Sequence, residues 1–358
     1  MYLSPESIEE LHIEITNKCN AACPMCDRNI HGGPDRPGRG ISEWSLEDID
    51  KVFSQELPNL KFVYFCGTHG EPLSAKNLFE AIHAAKKTGA KIEMFTNGSL
   101  RSKAWWQKLL AILGPEDRIT FGVDGIETNH LYRQNTNINK IMENMYLCSK
   151  ADVDMRWDML VFKHNEHEME DCKRIAKEFG IKHFRFRRTA RFDRHIKYPV
   201  LDKNLKLTHF LEPPDNENYR HPGIEDMQMI LKDLQLTGKR NLDRTDFEWE
   251  DRKLPDDWKI NCIYQESKKI YVNSRLEVFP CCYVSDEWET YKSLATNQLI
   301  PPLDEITLKT NTWNEILNTK FYKEDLVKSW EQNDVMPRCI RTCGKVKREA
   351  EQNVIVRI

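Results

Sequence analysis

Cys19, Cys23 and Cys26 constrain this chain more than any other feature. They read Cys-Asn-Ala-Ala-Cys-Pro-Met-Cys and follow an apolar, strand-like run, Leu11 to Ile15. Three thiolates spaced Cys-x3-Cys-x2-Cys on one short loop suit three corners of a cubane [4Fe–4S] cluster, where four cysteines are usual. The fourth iron is then left for a small molecule. An electron carrier closes such a site, whereas a catalyst leaves it open. Zinc, the competing occupant, usually takes four ligands, often in two separated pairs. A redox pair of the Cys-x-x-Cys kind has no use for Cys19.

The rest of the composition narrows the class. With 358 residues, 40% of them hydrophobic and 30% charged, the chain reads as a soluble globular protein with room for about two domains. A formal net charge of -3 gives no support for a polyanion-binding surface, so nucleic acid is not an expected partner. No apolar run reaches the ~18 residues of a membrane span. The first ten residues are acidic and lack the apolar core of a signal peptide. Eleven cysteines without an export signal point to metal or cluster ligation rather than disulfides, and to a reducing, cytoplasmic compartment.

Strand-like and helix-like segments alternate through the first half. Strands are predicted at Leu11–Ile15, Lys61–Cys66, Lys91–Phe95, Arg118–Val123, Asp154–Phe162 and Lys182–Arg187. Helices are predicted from Ser45 to about Gln55, and over Ala75–Thr88, Ser102–Leu113, Ile138–Ser149 and Asn165–Phe179, with Gly89 and Gly180 as stops. About six βα units argue for an α/β fold with a parallel sheet. Nucleotide-binding glycine fingerprints are absent. From about Asp193 to Trp258 the chain is polar and broken by prolines, with one helical piece at Ile224–Leu236. This stretch reads as a bridging segment or a cover for a barrel mouth. Beyond it, Lys268–Val272 and Arg275–Phe279 read as a hairpin joined by Asn273-Ser274, with helices near Thr312–Asn318 and Lys320–Trp330.

The cysteine spacing resembles the signature of the radical S-adenosylmethionine (SAM) enzymes, and other features extend the resemblance. Gly70-Glu71-Pro72 resembles the family's Gly-Gly-Glu-Pro turn, with His69 in place of the first glycine. Thr96-Asn97-Gly98 and Asp124-Gly125 lie at later strand ends, where the family contacts SAM. The resemblance implies a partial (β/α)6 TIM-type barrel carrying a SAM-binding [4Fe–4S] cluster on Cys19, Cys23 and Cys26. SAM would be held by Gly70, Glu71, Pro72, Thr96, Asn97 and Asp124, and a flavodoxin or ferredoxin would donate electrons. On the sixth strand, alternation places Phe184 and Phe186 on one face and Arg185 and Arg187 on the other. Interior arginines need an anion, so these two are expected at the SAM carboxylate or an acidic substrate group, unless they form a solvated basic edge.

Cys262, Cys281, Cys282, Cys339 and Cys343 form a second set. It resembles the twitch or reduced SPASM domain, a small α+β module that holds an auxiliary [4Fe–4S] cluster. Cys262, Cys281, Cys339 and Cys343 would ligate it, Cys282 being able to replace Cys281. A zinc site of the same ligands stays open. Three domains follow: a barrel over 1–195, a bridge over 196–258 and an auxiliary-cluster domain over 259–358. Cys148 and Cys172 are expected as buried thiols. Cys66, at the end of the second strand, is a candidate hydrogen donor to a substrate radical, with Cys282 as its rival. The expected reaction is oxidation or epimerisation at an unactivated C–H bond. Only 18 residues precede Cys19 and 15 follow Cys343, which leaves no room for a leader-peptide-binding domain. That tilts the expectation towards a small polar substrate, such as an amino sugar, aminocyclitol or nucleotide sugar, over a ribosomal peptide. A non-enzymatic Fe–S or zinc protein is the alternative from another class.

Overall fold

The alternating apolar residues become the strands of an α/β protein. The structure, a computed structural model, describes residues 2–38, 40–189, 191–192, 197–220, 260–290, 302–331, 337–343 and 353–356. In chain order the described strands are β1 (Glu10–Ile13), β2 (Phe62–Phe65), β3 (Lys91–Thr96), β4 (Arg118–Gly122), β5 (Asp154–Leu160), β6 (His183–Arg187), β7 (Tyr198–Leu201), β8 (Leu207–Leu211), β9 (Lys269–Val272), β10 (Val278–Phe279) and β11 (Asn353–Val356). Between the early strands run the helices α1 (Leu46–Phe53), α2 (Leu78–Lys87), α3 (Lys103–Ile112), α4 (Asn129–Tyr132), α5 (Ile138–Cys148) and α6 (Met169–Glu178).

Two units emerge. The first holds Met1–Cys19, Arg39–Met94 and Glu248–Val346. Here β1 pairs in parallel with β2, and β2 with β3, in a register that aligns Leu11, Val63 and Ile92. All three are fully buried. Helix α1 starts at Ser45, whose hydroxyl accepts from the Asp48 N–H while the Asp48 carboxylate accepts from the Ser45 N–H, the expected capping box. Helix α2 starts at Leu78 rather than Ala75, because Pro72–Ser74 first makes a 3-10 turn. On its other edge β1 pairs in parallel with β9, which pairs antiparallel with β10.

The hairpin β9–β10 differs from expectation in its connection. Five residues, 273–277, join the strands instead of two. Asn273 organises them, its side-chain oxygen accepting from the N–H groups of Arg275 and Glu277. Leu276 adopts a φ of 65° in this loop.

The second unit holds Asn20–Gly38, Phe95–Phe247 and Lys347–Ile358. Its strands β4, β5 and β6 run parallel, and β11 pairs antiparallel with β6. Apolar residues of these strands pack on the helices: Phe121 stacks on Trp106 of α3, and Lys173 of α6 lies over Phe186. Gly180 closes α6 with a φ of 69°. Cys148 and Cys172 are buried thiols, as expected. Within the stretch read as a bridge, β7 and β8 form an antiparallel hairpin that the prolines concealed. The helix expected at Ile224–Leu236 lies outside the described residues. Among the described residues no helix is long and apolar enough to cross a membrane.

Candidate active site

In the first unit, alternation along β1 continues past its end. Leu11, Ile13 and Ile15 take one face; His12, Glu14 and Thr16 take the other, and all six are buried. Glu14 is the anchor. Its Oε1 accepts from the N–H groups of His69 (2.7 Å) and Gly70 (2.9 Å), and its Oε2 from the Tyr271 hydroxyl (3.0 Å). The Glu71 N–H donates to the Lys18 carbonyl at 2.8 Å. The Gly-Glu-Pro turn is thus bonded to the segment that leads into Cys19. The approach is close, since a Cβ on Gly70 would lie 1.7 Å from the Thr16 carbonyl oxygen. Position 69 tolerates a side chain. His69 Nε2 lies 2.8 Å from Asp286 Oδ1, and Asp286 Oδ2 accepts from Arg338 Nη2 at 2.8 Å. The buried Glu71 carboxylate accepts from the Leu73 N–H and caps the 3-10 turn that Pro72 opens.

A second buried chain runs from β1 to the C-terminal cysteines. His12 Nε2 lies 2.7 Å from the Cys66 carbonyl oxygen, and His12 Nδ1 lies 2.7 Å from the Tyr264 hydroxyl. That hydroxyl lies 3.1 Å from Cys282 Sγ. Burial pushes the imidazole of His12 down to about 3, with Lys269 adding to the fall, so it is neutral at physiological pH. A neutral imidazole facing a carbonyl through Nε2 carries its proton there. Burial likewise pushes the Cys66 thiol up to about 12, Cys282 contributing to the rise.

Cys262, Cys281, Cys339 and Cys343 line one cavity together with apolar residues that include Pro280, Val284, Leu326 and Trp330. Cys282 is not in that lining. The helix Cys282–Thr290 starts at this residue, so the two neighbouring cysteines diverge. Burial, with Cys282 and Cys339 nearby, holds the Cys281 thiol well above its ordinary value. Among the described residues no three His, Cys, Asp or Glu side chains converge tightly enough to hold a single ion.

In the second unit, the loop bearing Cys23 and Cys26 is ordered by bonds within it and by the residues it packs on. The Cys26 N–H donates to the Cys23 carbonyl at 3.0 Å. Asn29 Nδ2 donates to the same carbonyl at 3.1 Å, and the Tyr198 hydroxyl of β7 donates to the Pro24 carbonyl at 3.2 Å. The Arg28 guanidinium bonds both Asp35 and the Ala21 carbonyl. Met25 packs with Tyr132, Phe162, Val200 and Leu211, and Cys23 lies against that cluster. Burial pushes the Cys23 thiol up to about 11, although Arg133 pulls it down.

Asn97 donates to Asn20 Oδ1 at 3.0 Å, and so fixes the residue that follows Cys19. Thr96 Oγ1 accepts from the Gly98 N–H at 2.9 Å. Asp124 is fully buried; Oδ1 accepts from the Leu160 N–H (2.6 Å) and Oδ2 from Arg133 Nε (2.6 Å). Burial raises its carboxyl despite that arginine. Arg185 grips Asp158 through Nε and Nη2, at 2.6 and 2.7 Å, and Arg187 Nη1 adds a contact at 3.0 Å. Asp158 thus supplies one internal carboxylate to the two arginines.

Several residues of these networks escaped the sequence reading: Glu14, His12, Tyr264, Asp286, Asp158 and Glu168. Glu14 carried a signal, a carboxylate inside the predicted strand Leu11–Ile15. Glu168 carried none. It accepts from the N–H groups of Ile126, Glu127 and Thr128 and from the Thr128 hydroxyl, and so ties down the loop after β4. Burial alone would raise its carboxyl, but the bonds from Thr128 and these amides outweigh it and lower it. A lowered carboxyl stabilises the fold above its unfolded value of about 4.3 and loses that contribution as pH falls. Glu168→Gln is expected to cost about 2–3 kcal/mol in urea unfolding at pH 7, with the gap to wild type narrowing below pH 4.

Residues 13–178 match the family model described as the Radical SAM superfamily, and this part of the chain is a radical SAM domain. Such a domain implies SAM and a [4Fe–4S] cluster. The tungsten-containing aldehyde ferredoxin oxidoreductase cofactor-modifying protein of Pyrococcus furiosus is 31% identical over 180 residues, covering 48% of this chain and 49% of that protein. The 7,8-dihydro-6-hydroxymethylpterin dimethyltransferase of Methanocaldococcus jannaschii is 30% identical over 178 residues, covering 47% of this chain and 33% of its own length. The chain thus spans from a third to about half the length of these curated relatives. Among solved structures, SuiB of Streptococcus suis bound to S-adenosylmethionine superposes with a TM-score of 0.51 at 13% identity, covering 88% of this chain and 67% of that one. SuiB bound to its precursor peptide SuiA gives 0.52 at 13% identity, with 89% and 66% covered. The likeness bears out the expected partial barrel fold.

Proposed function

We propose that the chain abstracts hydrogen from an unactivated C–H bond of a small polar substrate, leaving that substrate oxidised or epimerised. The observation that carries this reading is the Cys19-x3-Cys23-x2-Cys26 loop inside the radical SAM domain, with the Gly70-Glu71 turn bonded to the segment before Cys19. The donor set fits: three thiols on an ordered loop, and a glycine turn too tight for a Cβ. Cys19, Cys23 and Cys26 would hold the cluster, with SAM on its open iron. When bound, the pair supplies a 5′-deoxyadenosyl radical by reductive cleavage.

The residues of the chain divide the remaining work. Glu14 sets the Gly70-Glu71-Pro72 turn that would receive the SAM ammonium. Asn97 positions Asn20 in the cysteine loop, and Thr96 orders the turn at Gly98. Asp124, with both oxygens engaged, would shape the strand end through Arg133 rather than touch the ribose. Cys262, Cys281, Cys339 and Cys343 would hold a second, closed cluster. A structural zinc ion on the same four thiols is the alternative occupant. Cys66, just after β2, would serve as hydrogen donor, with Cys282, off that cavity and beside Tyr264, as its rival. A flavodoxin or ferredoxin would supply electrons. The names of both curated relatives point to cofactor modification or methylation of a small molecule, which favours a small substrate over a peptide.

Anaerobic reconstitution of the purified chain, with iron counting and assay of 5′-deoxyadenosine, tests the reading. Reduced protein is expected to carry iron and to cleave SAM; iron-free protein, or iron-loaded protein inert towards SAM, would sink it. Deuterated candidate sugars and peptides that pass label into 5′-deoxyadenosine would then identify the substrate class.

A further inference from the structure

The strands β4, β5 and β6 turn Phe121, Trp157 and Phe184 to the core. Alternation puts a different set on the opposite face: Arg118 from β4, Asp154, Arg156 and Asp158 from β5, and Arg185 and Arg187 from β6. On this face four guanidiniums share two carboxylates. Asp154 takes Arg118 and Arg156 at the amino ends of the strands, at 3.1 and 2.8 Å. Asp158 takes Arg185 and Arg187 towards the carboxyl ends.

The second group is unevenly matched. Arg185 binds Asp158 through two parallel bonds, a fork that uses both oxygens of the carboxylate. Arg187 reaches only Oδ2, an oxygen Arg185 already holds, through one nitrogen at 3.0 Å. Its strand partners across the register are Leu160 and Asn353, residues that carry no charge. The Arg187 side chain keeps 34% of its surface exposed, whereas Asp158 keeps 3%. Arg188 turns away and donates to the Asn218 carbonyl. Among the described residues one positive charge is thus left over in the group around Asp158. It sits at the carboxyl end of a barrel strand, where substrates of such folds bind.

We propose that Arg187 binds an oxyanion of the substrate, a phosphate or carboxylate, with Asp158 anchoring one nitrogen of its guanidinium. This rests on the radical SAM reading for the end of the barrel at which substrate enters. It selects, within the small polar substrates, those that carry a negative charge. SAM also carries a carboxylate, so the two sources must be separated.

Inorganic phosphate is the probe, titrated calorimetrically into the reconstituted full chain at low ionic strength with SAM saturating. Wild-type protein is expected to bind it saturably. Arg187→Gln is expected to weaken binding about tenfold or more. Arg187→Lys, which keeps the charge, is expected to retain saturable binding, whereas Arg188→Gln leaves it unchanged. Equal phosphate affinity in wild type and Arg187→Gln overturns the proposal. So does phosphate that competes with SAM, because the anion would then be the cofactor's own carboxylate. If Arg187→Gln does not fold, Arg187→Lys decides the matter: affinity that stays within twofold of wild type overall but loses its salt-independent part supports the fork, and binding unaltered in every respect overturns it. A protein that binds phosphate through Arg187 yet never cleaves SAM would retain the anion site and discard the functional reading. A protein that cleaves SAM without binding phosphate would do the reverse.

Discussion

Replacing Gly70 with alanine is expected to cut SAM cleavage about a hundredfold or more. The added methyl would lie 1.7 Å from the Thr16 carbonyl oxygen and 2.9 Å from the Asn17 Cα, both backbone atoms. Neither can rotate away, so one of the two segments must shift. A displacement of about 1 Å in a positioning element costs roughly a hundredfold in rate. The shift falls between the Glu71 turn and the residues that lead into Cys19, where it would misalign cofactor and cluster ligands together. Gly114→Ala supplies the control: nothing lies within 4 Å of its added Cβ. Deoxyadenosine formation by the two reconstituted variants reads the difference. Wild-type activity in Gly70→Ala would show that the turn does not set the cofactor.

Cys281→Ala is expected to lose about half of its bound iron, falling from about eight to about four per chain, while Cys282→Ala keeps the full complement. Cys281 lines the cavity shared with Cys262, Cys339 and Cys343; Cys282 opens a helix and meets the Tyr264 hydroxyl. If Cys282 is the hydrogen donor, its alanine variant still consumes SAM but no longer returns hydrogen to substrate. Iron counting on both proteins separates ligand from donor. Equal losses, or loss in Cys282→Ala alone, would reverse the assignment.

The cysteine loop stood out in the sequence because its pattern is local, with three cysteines inside eight residues. The Gly-Glu-Pro turn was legible for the same reason. The alternation that set Arg185 and Arg187 apart from Phe184 and Phe186 also held. Their partner did not show, because Asp158 lies 27 residues from Arg185 and only strand register brings them together. Adjacent Cys281 and Cys282 were indistinguishable until a helix start separated them. The hairpin β7–β8 was hidden because its outer residues, Leu207 and Phe210, are exposed and Pro199 interrupts its pattern. Pairing of β9 with β1 joins residues some 260 positions apart, a separation no local period encodes.

The arrangement around Pro24, Met25 and Asn29 also bears on how such a protein is matured. Small zinc modules fold only when their ion arrives, because nothing else holds their ligands. Here hydrogen bonds from Tyr198 and Asn29, with the packing of Met25, supply that order from within the polypeptide. The segment is then expected to keep its conformation in iron-free protein, read as protection of the Cys26 amide from hydrogen exchange before reconstitution.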